Sequence, residues 1–254
     1  MSCTAVVLAG SRPGRDAFAE QYGTDLKALI PVAGEPMVRR PVNALLASGT
    51  VAPVIVLTQA PERIAEVLPN DPRIAVRKSL GTIAETMLAM CNDQHTRWPL
   101  LVTTADHALL DAAMVDEFCA AAAGCDLAVG VVERRVLMAR FPDAQRTWLK
   151  FRGGAFTGAN LFWLGSPDAA RVITMWRLVE QVRKKGWRLV ALLGPAVLFG
   201  TLLRLLTIDD VLARLGRKLG LLIKAVKLSN PLAGIDVDKA ADHALAEAII
   251  AGRA

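Results

Sequence analysis

The chain has 254 residues, 53% of them hydrophobic and 21% charged, with a net charge of +6. That apolar content supports one large core, or two small ones, and excludes a disordered chain. One tyrosine and 5% aromatic residues make a poor stacking platform for nucleic acid, and the basic residues are scattered without a nucleic-acid motif, so the positive charge points to small anions or an anionic membrane surface.

The first predicted strand, Thr4–Leu8, empties into the loop Ala9-Gly10-Ser11-Arg12-Pro13-Gly14-Arg15. Where side chains are absent, backbone N–H groups reach phosphate oxygens, and nearby cations offset the charge. Lys27 follows, fixed beside the apolar run Ala28-Leu29-Ile30, and suits a point contact to phosphate; otherwise it is a solvated surface residue. Further strands are predicted at Val54–Leu57, Ile74–Val76, Leu100–Thr104 and Leu127–Val132. Helices fall between them at Pro36–Ser48, Pro61–Leu68, Thr82–Cys91 and Met114–Ala123. This alternation predicts an α/β fold whose mainly parallel sheet carries helices on both faces and ligands beyond the carboxyl ends of its strands. Asp106, just after Leu100–Thr104, sits at such an end. It is either a magnesium ligand or a helix N-cap, and His107 is a bystander or a group that supports Asp106 from behind, rather than a base.

Pro167–Lys185 reads as a helix, and Leu189–Leu203 is nearly uninterrupted apolar sequence, too short to span a membrane. Thr207-Ile208-Asp209-Asp210 opens an amphipathic helix whose apolar face takes Ile208, Val211, Leu212, Leu215, Leu219, Leu222, Ile223 and Val226, with Leu221 out of place. The block 187–228 therefore packs on the core, forms a homodimer interface, or lies on a membrane surface. Asn230-Pro231-Leu232-Ala233-Gly234-Ile235-Asp236-Val237-Asp238 precedes a closing helix at Asp238–Ala251; one of Asp236 and Asp238 caps it and the other is free to ligate a metal. The four cysteines lack metal-type spacing, and the N-terminus has neither the basic flank nor the apolar length of a signal peptide. The expectation is reduced thiols in a cytoplasmic protein, peripheral to the inner face of the membrane if the apolar block docks there.

Leu8 to Arg15, then Lys27 with Pro31-Val32-Ala33-Gly34-Glu35-Pro36-Met37, resembles the opening signature of nucleotidyltransferases with a glycosyltransferase-A-like fold. Ser79-Leu80-Gly81-Thr82-Ile83-Ala84 is similar to their base-contacting segment and Asp106 to their metal-binding aspartate. Thr157-Gly158-Ala159-Asn160-Leu161-Phe162 is similar to their sugar-phosphate segment and Asp236 to the second metal ligand. The resemblance implies a Rossmann-like three-layer sandwich with a mixed sheet, a single domain over 1–254, and a helical insertion at 167–228. It departs in the long Gly14–Lys27 segment, in His107-Ala108 after the aspartate, and in the hydrophobic block.

The implied reaction transfers NMP from an NTP to the phosphate of a sugar, polyol or inositol phosphate, releasing pyrophosphate. Leu8, Ala9, Gly10, Ser11, Arg12 and Gly14 would cradle the triphosphate, and Arg15 and Lys27 would neutralise it. Gly81 and Thr82 would seat the base. Asp106 and Asp236 would hold Mg²⁺, and Lys150, Arg152 and Asn160 would face the acceptor. Three alternatives remain open: a molybdenum-cofactor guanylyltransferase-like enzyme, a metal-dependent glycosyltransferase, and a non-catalytic nucleotide-binding module docked on membranes.

Overall fold

The computed structural model describes residues 2–11, 14–181 and 204–253. In chain order the strands are β1 (Cys3–Leu8), β2 (Pro31–Val32), β3 (Glu35–Pro36), β4 (Val51–Thr58), β5 (Ile74–Lys78), β6 (Leu100–Thr104), β7 (Leu127–Glu133), β8 (Leu149–Phe151), β9 (Gly154–Leu164) and β10 (Ile223–Lys227). The helices are α1 (Ala17–Glu20), α2 (Arg39–Ala47), α3 (Pro61–Val67), α4 (Ile83–Asn92), α5 (Ala112–Ala122), α6 (Arg134–Arg140), α7 (Ala170–Gln181), α8 (Ile208–Leu219) and α9 (Ala240–Ile250).

The main sheet runs β10-β7-β9-β6-β1-β4-β5, with β8 paired to β9. Only β9 runs against the other strands: it is antiparallel to β6, β7 and β8, and the other pairs are parallel. The carboxyl ends of β1, β4, β6 and β7 therefore share one edge. Helices cover both faces because the central strands are apolar on both sides. Ala5 and Val7 pack with Val42 and Leu45 of α2 and Met114 and Phe118 of α5. Val6, between them, enters the opposite layer with Ile55, Leu57, Met87, Leu100 and Val102. This is the expected three-layer α/β sandwich with a mainly parallel mixed sheet.

The predicted strands and helices lie within a few residues of those observed. Helix α2 starts at Arg39 rather than Pro36, because Pro36 belongs to the small β2–β3 ribbon. The predicted helix from Pro167 begins as a 3₁₀ turn at Pro167–Ala169 and continues as α7. The acids expected to begin α8 do so: the Thr207 hydroxyl accepts from the Asp210 N–H, and the Asp210 carboxylate accepts from the Thr207 N–H.

The amphipathic segment after Thr207 needs correction. Its helix stops at Leu219, where Gly220 adopts a left-handed conformation with φ 68° and ends the ladder. Ile223 and Val226 then belong to β10, the edge strand beside β7, and Leu222 lies in the exposed turn before it. The eight apolar positions fit one helical arc, yet Lys224 and Lys227 flank buried Ala225 and Val226 in a strand. The insertion is thus helix and strand rather than helical throughout. Leu212, Leu215 and Leu219 pack against the layer containing Val6 and Ile223, so this part of the apolar face covers the sheet. Residues 187–203 of the block lie outside the described residues. Among the described residues no helix is long and apolar enough to cross a membrane.

Candidate active site

The glycine loop leaves β1 at the carboxyl edge. Its root is fixed on both sides: Ala9 N–H donates to the Leu57 carbonyl at 2.8 Å, and Ala105 N–H donates to the Leu8 carbonyl at 3.0 Å. Gln59, just past β4, clamps the loop. Its Oε1 accepts from Ser11 N–H at 3.0 Å and its Nε2 donates to the Ser11 carbonyl at 3.0 Å. A Cβ on Gly10 would stand 2.9 Å from the Gln59 amide nitrogen, so a larger residue there would have to displace the Gln59 side chain from its clamp on Ser11. Sequence reasoning missed Gln59; its signal was a polar residue ending an apolar strand. Arg12 lies outside the described residues. Arg15 is exposed and paired with Glu20 at 2.8 Å, not with any of the aspartates described below.

Lys27 opens a 3₁₀ turn, Lys27–Leu29, anchored by buried Ala28. Its ammonium is largely buried and donates to Asp106 Oδ2 at 2.7 Å and to Asp238 Oδ1. Burial alone would pull the Lys27 pKa down, but the two carboxylates outweigh it and hold the ammonium above its ordinary value. Asp106 is not a helix cap. Thr104 Oγ1 donates to its Oδ1, and Asp111 caps α5, accepting from Met114 N–H at 2.8 Å. Val237 N–H donates to the Asp106 carbonyl at 3.0 Å, which draws the C-terminal segment back against the end of β6.

That segment carries Asp236 and Asp238, and neither caps the closing helix. Helix α9 begins after Lys239, with no side-chain cap bond. Asp236 instead receives Arg146 Nη1 at 2.7 Å and Asn160 Nδ2 at 3.2 Å. Asn160 thus serves the acid cluster from β9. Arg146, in the loop between α6 and β8, is 8% exposed and reaches Asp242 as well, at 3.2 Å. No periodicity or motif marks Arg146, and sequence reasoning missed it. Burial raises the Asp236 pKa, followed by repulsion from Asp238 and Asp106, with Arg146 opposing. Burial also pushes Asp238 up, but the hydrogen bond and charge of Lys27 prevail and lower it.

Four carboxylates (Asp106, Asp236, Asp238 and Asp242) meet two cations, Lys27 and Arg146. Two formal negative charges are left over. Hard carboxylate oxygens with uncompensated charge suit Mg²⁺, which binds through one or two carboxylates and completes its shell with water and substrate phosphate. Among the described residues no group of three or more His, Cys, Asp or Glu is arranged to hold a metal unaided; a site completed by substrate needs fewer protein ligands.

The base-side pair has a structural task. Thr82 caps α4: its hydroxyl accepts from Glu85 N–H at 3.2 Å, and Glu85 returns a carboxylate to Thr82 N–H at 2.8 Å. Gly81 has φ 55°, and a Cβ there would collide with Glu85 Oε2 at 2.2 Å. Leu80 and Ile83 beside them are exposed. On the acceptor side, Arg152 turns to Asp210 at 3.5 Å. Lys150 faces a cleft at the β8–β9 hairpin.

His107 is fully buried beneath this site, and burial lowers its pKa to about 4 against the pull of Asp106 and Asp111. The folded protein holds it neutral while the unfolded chain protonates near 6.5. Its stability contribution is complete above pH 6.5 and disappears as pH falls toward 4. The expected loss is on the order of 3 kcal/mol, at 1.36 kcal/mol per pH unit. Urea unfolding at pH 4.5 and pH 7 should show this slope, and His107→Gln should flatten it; an equal slope in the variant contradicts the assignment.

A family model described as a MobA-like NTP transferase domain matches residues 5–218. No curated protein matches the chain. A hypothetical transferase of known structure from Thermus thermophilus is 31% identical, with a TM-score of 0.81 over 96% of this chain and 100% of that one. The 4-diphosphocytidyl-2C-methyl-D-erythritol synthase of Anaerococcus prevotii shares the fold at 9% identity and a TM-score of 0.62, over 98% of this chain and 96% of that one. A CMP:2-keto-3-deoxy-manno-octonic acid synthetase complexed with CTP does so at 12% identity and a TM-score of 0.61, over the whole of both chains. With the matched span running from β1 into α8, the chain belongs to the MobA-like NTP transferase domain family.

Proposed function

We propose that the protein transfers a nucleotidyl group from an NTP to the phosphate of a sugar, polyol or inositol phosphate. The observation that carries this reading is the meeting of Lys27, Asp106 and Asp236 beside the glycine loop in a nucleotidyltransferase fold. An oxygen of the acceptor phosphate attacks the α-phosphorus; a new P–O bond forms, the bond to the β-phosphate oxygen breaks, and pyrophosphate leaves. A phosphate monoester is largely ionised at neutral pH, with a pKa of about 6, so the attack needs no general base. The protein has to bring two anions together and offset the charge that develops.

The backbone of Leu8, Ala9, Gly10, Ser11 and Gly14 receives the triphosphate, with Arg12 and Arg15 as its cationic lip. Lys27 holds Asp106 and Asp238 in place and presents its charge to the phosphates. Gly81 and Thr82, between exposed Leu80 and Ile83, seat the base through backbone and apolar contact, because the Thr82 hydroxyl is committed to its cap. Asp106 and Asp236 hold Mg²⁺, which neutralises phosphate charge when bound. Asn160 and Arg146 orient Asp236 for that role.

The test is a screen of four NTPs against glucose 1-phosphate, erythritol 4-phosphate and inositol 1-phosphate, with and without Mg²⁺, reading pyrophosphate. CTP comes first, because the names of two fold neighbours carry a cytidylyl product or CTP. Acceptor-dependent pyrophosphate release that EDTA abolishes is the expected result. Transfer of a sugar without pyrophosphate, or no turnover with any pair, overturns the reading.

A further inference from the structure

The cleft at the β8–β9 hairpin lies outside the acid cluster and has a built chemistry of its own. It encloses about 430 Å³ and is lined by Arg134, Trp148, Lys150, Phe151, Ala155 and Arg204 together with Gly154. That volume is in the range of small-molecule sites, roughly 300–1,000 Å³. Three cations converge on it, and among the described residues none has an acidic partner. Their neighbours do: Arg135 pairs with Glu133 at 2.8 Å and Arg152 with Asp210 at 3.5 Å. Glu133, the acid near the cleft, gives its Oε2 to Arg135 while its Oε1 borders Gly154, so one carboxylate stands beside three cations. The Arg134 guanidinium stands 6.0 Å from the centre of the Trp148 ring, so an indole face borders the positive charge. Arg204 sits at φ 54°, a left-handed conformation that a residue with a side chain adopts at a cost; strain of this kind gathers at functional sites.

The cleft and the acid cluster share one edge of the sheet. Arg134 directly follows β7, whose last residue, Glu133, pairs with Phe156. Four residues further along β9, Asn160 touches Asp236. At ~3.3 Å per residue the strand covers at most about 13 Å between the two places.

We propose that the cleft between Arg134, Lys150 and Arg204 binds a second anionic group of the acceptor, remote from the phosphate that reacts. This rests on the nucleotidyl-transfer reading above. The acceptor is then elongated and at least doubly anionic, with its middle portion passing the indole face of Trp148. Guanidinium and ammonium donors in excess over carboxylates bind phosphate or carboxylate equally through charge-assisted hydrogen bonds.

Trp148 is a local reporter. Full-length protein in metal-free buffer is titrated with pyrophosphate, then with α,ω-alkanediol bisphosphates of increasing length and the matching monophosphates, following tryptophan emission with Trp148→Phe as the blank. The expected result is a saturable Trp148 signal for pyrophosphate. Long bisphosphates should bind at least about tenfold more tightly than their monophosphates, while short ones show no such gain. The double variant Arg134→Gln with Lys150→Gln should weaken pyrophosphate at the cleft at least about tenfold and erase the gain from length. Both residues are exposed, and Arg204→Gln alone provides a second, milder substitution with the same direction of effect. A Trp148 signal that pyrophosphate does not move, a double variant that binds as the wild type does, or bisphosphates no better than monophosphates at any length overturns the proposal. Failure of the nucleotidyl-transfer reading appears elsewhere, as absent pyrophosphate release in the NTP screen, and leaves this titration intact.

Discussion

Asp106→Asn lowers acceptor-dependent pyrophosphate release at least about 100-fold, the scale expected when a principal electrostatic stabiliser is removed. The amide keeps the shape and can still accept from Thr104 Oγ1, but it loses the charge that pairs with Lys27 at 2.7 Å. It is also a far poorer oxygen donor to a hard cation. Stability should change little. The lost ion pair with Lys27 is offset because Asp106 no longer repels Asp236, whose carboxyl is pushed up in part by that repulsion. The expected signature is therefore a large fall in kcat with a thermal midpoint near that of the wild type. Single-turnover pyrophosphate release beside thermal unfolding provides both numbers. Unchanged release from a folded Asp106→Asn protein removes Asp106 from the chemistry.

Arg146→Met should cost both stability and activity. Arg146 is the cation for Asp236 and Asp242, and the Asp242 side chain is only 8% exposed. Removing one partner of a buried pair leaves an uncompensated charge, which costs about 3–5 kcal/mol. Asp236 is partly solvated, so the lower end, about 3 kcal/mol, is expected. The sign with pH follows from linkage. Burial already raises Asp236 and Arg146 opposes that rise; without Arg146 this carboxylate binds a proton more readily in the folded variant than in the unfolded chain, so the deficit shrinks as pH falls toward the carboxylate range. Arg146→Lys keeps one charge but loses the fork that reaches two acids, and should fall between. Urea unfolding of the three proteins at pH 5 and pH 7.5 measures this. A variant as stable as wild type at pH 7.5, or a deficit that grows on acidification, contradicts the role given to Arg146.

The legibility of this chain was uneven, for physical reasons. β-branched runs such as Leu100–Thr104 are buried on both faces and read as continuous apolar stretches, so β6 was located to the residue. Capping residues announce themselves locally, as Thr207 and Asp210 do. The segment after Leu219 misled because a short run of apolar and basic residues satisfies a period of 3.6 and a period of 2 about equally well. Gly220 decided between them by taking φ 68° and releasing the chain into β10. Strand β9 was not anticipated; it lies between β6 and β7, a position that local sequence does not encode.

By itself the amino-acid sequence determined the alternation of strands and helices, the glycine loop after the first strand, and the acids after β6 and before α9. Each of these depends on neighbours within a few positions. Tertiary structure alone decided which charges meet. Lys27 contacts Asp106 across 79 residues and Asp238 across 211, and Arg146 contacts Asp236 across 90. Such pairs form because parallel crossovers return distant segments to one sheet edge, and no local period records where a returning loop will place its side chain. The same return gathers Arg134, Trp148, Lys150 and Arg204 around one cleft, although in sequence they are scattered charges and an isolated indole.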